Sequence, residues 1–202
     1  MFRFLFRNGR QRSLHSTGKG TVTLGRPART LKAPVRLHAL AVAQWRMGIA
    51  RISAAVASTA LVVGYAVGSG RWVATGGAWY RSLEQPPWQP PSAVFGIIWP
   101  YNFAALIAAG IAVARSGSPA ARTVWLVGLA LSVTAALAWA RLFFAGHLLW
   151  PAAIALIAAA VLTVPIVVAA WNTRTWAGAI LLPYNVWVAL AASLQVGYAL
   201  RN

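Results

Sequence analysis

The chain has 202 residues, 59% hydrophobic and only 9% charged, where a soluble domain carries about 25% charged residues, so it reads as a membrane protein. Without cysteine, and with Glu84 as its one acid and three histidines far apart (His15, His38, His147), it excludes disulfides, thiolate catalysis, a metal site of the usual ligands and a carboxylate acid/base pair. Ten of the eighteen basic residues behind the net charge of +17 precede Met47, and no apolar segment contains Asp or Glu, which argues against a proton-driven pump.

Residues 1–46 form a basic segment with Ser, Thr and Gly and no sustained periodicity. Three readings stand open. The segment is an Arg-rich, acid-free organelle transit sequence beginning MFRFLFR. It is a disordered cytoplasmic tail lying on anionic lipid, each basic residue contributing about 1 kcal/mol. Or it lies upstream of a true start at Met47, where MGIARISAAVAS suits a membrane-protein N-terminus. It carries no folded nucleic-acid motif, so no nucleic-acid partner is expected.

Residues 47–202 are expected to fold as an all-α membrane protein, a five-transmembrane-helix bundle. Its apolar segments lie near 49–68, 92–114, 123–145, 149–171 and 177–199, each close to the roughly 20 residues that span a bilayer as helix. Five spans put loop 1, the third connection and the C-terminus on one side. Arg115, Arg122, Arg174 and the N-terminus fall on the other, which the positive-inside rule assigns to the cytoplasm. If Met47 is the start, the bias nearly vanishes.

Loop 1 is the one connection long enough to cover the bundle. GRWVATGGAWYRSLEQ suits a short interfacial helix, and prolines 86, 87, 90 and 91 make the rest of the loop a stiff, non-helical lid. Glu84 reads as a solvated loop residue with Arg81 in reach.

Of the eleven tryptophans, Trp72, Trp150, Trp171 and Trp176 sit near helix ends as an interfacial belt. Trp99, Trp139 and Trp187 fall inside spans. At 1.5 Å per residue the first two lie about 10 Å deep and the third about 18 Å, so three indoles on three helices are placed to line one cavity under the lid. Phe103 shares the face of Trp99, and Ala191 that of Trp187. Asn102 and Asn185 are rare polar groups, expected to bond between helices. Gly128, Ser132, Ala136 and Ala140 make a stripe of small residues for close approach, within the bundle or across a homodimer. Arg141 and His147 are expected at the interface.

Three segments carry a family resemblance: WYRSLEQPPWQPPSAVFGIIW (79–99), WARLFF (139–144) and LLPYNVWVALAASLQVGYALRN (181–202). The chain resembles the TspO/MBR family, tryptophan-rich sensory proteins related to the mitochondrial translocator protein, over about residues 49–202. The resemblance implies five spans, frequent dimerisation, and a pocket beneath loop 1. That pocket takes porphyrins (protoporphyrin IX or a haem-like tetrapyrrole), sterol-like molecules and benzodiazepine-type ligands, with no obligatory cofactor and no metal. It assigns Tyr80, Pro90, Trp99, Phe103, Trp139, Trp187 and Ala191 to the pocket, and links Trp99 and Trp187 to light-dependent porphyrin breakdown. Val196, Tyr198 and Arg201 fit a proposed sterol-contact pattern.

The chain departs from the family at Gln85, where Lys is usual, and at Ala136 and Gln195, where Asn is common; its fourth span also lacks the acid that many members carry. The expected function is binding of a tetrapyrrole or sterol-like ligand in stress sensing or regulation. Indoles stack on the ring, and Arg71 and Arg81 face its carboxylate edge. The alternatives are a porphyrin or sterol transporter and a light-dependent porphyrin-degrading enzyme, in which an indole donates an electron to the photoexcited ring. The Ala/Arg/Gly-rich composition favours a bacterial membrane over a mitochondrial or plastid one.

Overall fold

The computed structural model describes residues 33–74 and 77–202, all helix and connection with no strand among them. The readings of residues 1–32 lie outside the described residues. Contacts divide the chain into two units, Met1–Leu40 and Ala41–Asn202, and the bundle belongs to the second. In order come α1 (Ala33–Val73), α2 (Gly77–Ser82), α3 (Ser92–Ser116), α4 (Pro119–Ala140), α5 (Leu149–Thr173), α6 (Thr175–Ala179) and α7 (Leu182–Arg201). Five stretches among the described residues are long and apolar enough to cross a membrane, and the protein is a multi-pass integral membrane protein.

The spans differ from the sequence reading at three places. Helix α1 begins at Ala33, not near residue 49, so the last part of the basic segment is helical. Its residues from Leu37 to Arg46 contain no glycine and many strong helix formers, and Pro34 sits in the first turn, where a missing N–H costs nothing. Helix α4 ends in a π-helical turn, Arg141–Ala145, before Gly146 and a left-handed His147 (φ 55°) turn the chain into α5. The last span is broken into α6 and α7, because Pro183 lacks an N–H and its ring would crowd the carbonyl of Ala179.

Other boundaries follow local chemistry. Prolines 90 and 91 hold the chain extended before α3. Ser118 caps α4, its hydroxyl accepting from the Ala121 N–H at 3.1 Å, and Pro119 occupies the first turn.

Small residues set the packing. The stripe on α4 lies inside the bundle: Ser132, Ala136 and Ala140 are each at most 1% exposed, and Ser132 Oγ donates to the Ala159 carbonyl of α5 at 3.2 Å. A Cβ on Gly128 would come within 3.1 Å of Ile166 on α5. Of the two uses open to the stripe, these contacts are the packing of α4 on α5 within the bundle. Asn185 bonds between helices as expected, its Nδ2 donating to Thr163 Oγ1 at 2.5 Å. Asn102 does not: it is fully buried on α3, and neither amide atom has a hydrogen-bond partner.

Helix α1 is held by side chains. Ser58 Oγ accepts from the indole N–H of Trp125 at 2.9 Å, and Gly110 of α3 leaves room for both groups, since a Cβ there would strike them. Higher on α1, buried Tyr65 meets the rings of Trp99 and Phe103 edge-on, at 5.9 and 5.4 Å.

Candidate functional site: an aromatic cavity under loop 1

Loop 1, the α4–α5 connection and the C-terminus meet at one end of the bundle. Trp79 stacks on His147 at 4.0 Å, and Glu84 bonds to Asn202. Beneath them is a cavity of about 590 Å³, within the range of small-molecule sites.

Its floor is Trp99 and Phe103, one helical turn apart on α3 and stacked at 5.6 Å, with Tyr65 behind them fixing their tilt. Helix α4 supplies Trp139, and the π-helical turn supplies Phe143 and Phe144. Both phenyl rings of this turn are buried, 2% and 8% exposed, and both line the cavity. Helix α7 adds Trp187, Ala191, Gln195 and Tyr198, while Tyr80, Arg81, Gln85 and Gln89 form the roof.

The two wall indoles on α4 and α7 differ in their polar ends. Trp139 donates to Gln195 Oε1 at 2.8 Å, and Gln195 Nε2 donates to the Leu149 carbonyl at 3.2 Å. Trp187, packed edge-on against Phe95 at 5.1 Å, keeps a buried N–H with no hydrogen-bond partner. That N–H is closed off from the cavity space, so Trp187 meets the cavity through its ring.

The roof is latched to the end of α7. The Glu84 carboxylate pairs with Arg201 at 3.2 Å, and not with Arg81 as the sequence suggested. The Glu84 N–H donates to Asn202 Oδ1 at 2.8 Å, Asn202 Nδ2 donates to the Glu84 carbonyl at 3.2 Å, and Arg201 lies over Trp88. Tyr198 bonds to Tyr80 at 3.2 Å and to Gln89. Gly197 is where Pro86 and Trp88 press on the helix: a Cβ there would sit 2.8 and 2.9 Å from them.

Of the residues singled out from sequence, Tyr80, Trp99, Phe103, Trp139, Trp187 and Ala191 surround this one cavity. Pro90 is half-buried in the loop and off the wall. Tyr198 is buried on the wall, Arg201 belongs to the latch, and Val196 is half-buried away from the cavity. Arg81 lines the cavity, whereas Arg71 is exposed and off the wall. Ala136, a departure from the family pattern, is 1% exposed in the core and also off the wall. Sequence reasoning did not assign Phe95, Phe143 or Gln195 to the pocket, noting Gln195 only as a departure from the family, although each is four residues from a residue it chose: Trp99, Trp139 and Ala191.

The sequence model of the TspO/MBR family matches residues 54–201, which hold every residue that lines the cavity. The chain belongs to the TspO/MBR family. It is similar to the CrtK protein of Rhodobacter capsulatus, 27% identical over 59% of this chain and 75% of that one. It is likewise similar to the tryptophan-rich sensory protein of Cereibacter sphaeroides (29% identical; 58% and 72% covered) and the tryptophan-rich protein TspO of Bacillus cereus (29%; 58% and 76%).

Proposed function

We propose that this TspO/MBR protein binds a tetrapyrrole, or a sterol-like molecule of similar breadth, in the cavity under loop 1, and that it serves stress sensing or regulation in a bacterial membrane. The carrying observation is the cavity wall: indoles of Trp99, Trp139 and Trp187 from three helices, with Arg81 at the roof. Indole faces stack on a broad conjugated ring, each such contact contributing about 0.5–1.5 kcal/mol beyond area burial. Arg81 offers a cation to a carboxylate edge. Bacterial relatives, one of them called a sensory protein, support the regulatory reading and the membrane.

Titration of the purified protein in detergent with protoporphyrin IX, followed by tryptophan fluorescence, tests this. Saturable quenching, weakened roughly tenfold in a Trp99→Phe/Trp187→Phe variant, is the expected result, from two indole contacts at the strength above. Quenching that does not saturate would overturn the tetrapyrrole reading. A new absorbing species formed only under light and oxygen would instead make the protein a porphyrin-degrading enzyme. Ligand movement across proteoliposomes without product would make it a transporter.

A further inference from the structure

At the end of the bundle away from loop 1, a second groove of about 590 Å³ runs between α1 and α4. Past Met47 its α1 side is small: Ala50, Ala54 and Ala57 recur at three- and four-residue spacing and so share one face, with Ser53 beside them. Facing them on α4 are Leu126 and, one turn nearer the helix start, Arg122. Arg46 closes the outer end from α1.

The groove is therefore an apolar trough with two guanidinium groups at its water end. No acidic side chain is left to neutralise them. Glu84 is the only acid in the sequence, and it pairs with Arg201 at the loop 1 end. The Arg122 Nε is buried and has no hydrogen-bond partner. Two guanidinium groups with no acid to pair with favour an anionic ligand, and they match phosphate oxygens in geometry and charge.

We propose that this groove binds one anionic phospholipid, its phosphate between Arg46 and Arg122 and an acyl chain along the alanine face of α1. A free phosphate would satisfy the arginines and leave the trough empty. A second copy docked here with two-fold symmetry would bring the same arginines against each other. A lipid complements both ends.

Phosphatidylglycerol and phosphatidylcholine of equal chain length are titrated into the protein in neutral detergent, with bound lipid counted by native mass spectrometry and the unfolding temperature recorded. The expected result is one saturable phosphatidylglycerol site that raises the unfolding temperature, with binding at least about tenfold weaker in Arg46→Gln/Arg122→Gln, as two near-surface lipid contacts imply. Ala50→Phe, which fills the trough at an exposed position and leaves both charges, is expected to weaken binding too. Arg115→Gln, a basic residue at the same end but outside the groove, is expected to change nothing. Equal binding of phosphatidylcholine, the same stabilisation by inorganic phosphate alone, or an equal loss in Arg115→Gln would each overturn the proposal. Unfolding temperatures of the variants without lipid show whether they are folded.

Discussion

Trp139 and Gln195, 56 residues apart, meet across the cavity wall with indole N–H to amide oxygen at 2.8 Å. The same amide reaches the Leu149 carbonyl, so one side chain ties α4, α5 and α7 together and both its ends are satisfied. Replacing Gln195 with Leu leaves a partly buried indole N–H without a partner, at a cost of about 1–3 kcal/mol. Asn, one methylene shorter, is expected to fall between Gln and Leu. Thermal unfolding in detergent reads the order, and an unchanged midpoint for Gln195→Leu would show that the bond contributes nothing.

Trp187 predicts the opposite pattern. Its N–H has no partner in the free protein, so Trp187→Phe loses packing area but no hydrogen bond. The stability change is expected to be about 1–2 kcal/mol, from lost packing and the space the smaller ring leaves, with no polar group stranded. Affinity for a broad conjugated ligand falls through the lost indole contact, whether or not that ligand carries an acceptor. A loss confined to an acceptor-bearing ligand would show instead that the indole turns its N–H toward the ligand.

The latch between loop 1 and α7 predicts a local effect without a global one. The Glu84 and Arg201 side chains are 66% and 34% exposed, and pairs of this kind contribute about 0.2–1 kcal/mol. Glu84→Gln should leave global unfolding almost unchanged. Hydrogen exchange in loop 1 should quicken, because local opening has its own smaller free energy. Unaltered exchange there would remove the latch from the account.

Gly128 separates packing within the bundle from association between copies. Gly128→Leu must displace Ile166 or part α4 from α5, a destabilisation of about 1–3 kcal/mol. The loss is expected at every protein concentration. A variant that unfolds normally but no longer self-associates would instead put the stripe at an interface between copies.

Much of this arrangement is legible in the linear sequence because its causes are local. Five apolar runs of bilayer length, prolines that stiffen the lid and aromatic residues at helical spacing mark the spans, the cover and the faces of Trp99 and Trp187. The break at Pro183 and the early start of α1 are local too, and escape a reading by hydropathy alone, which registers apolar content rather than backbone geometry. The partners of polar groups are another matter. Nothing near Glu84 in sequence points to Arg201, 117 residues away, and nothing near Trp139 points to Gln195. Nor can spacing tell whether the small stripe on α4 meets α5 or a second copy, since both demand the same small side chains. Those choices depend on which helices lie side by side and at what depth. That is decided when the whole bundle packs, and only there does a hydrogen bond between distant residues acquire its two ends.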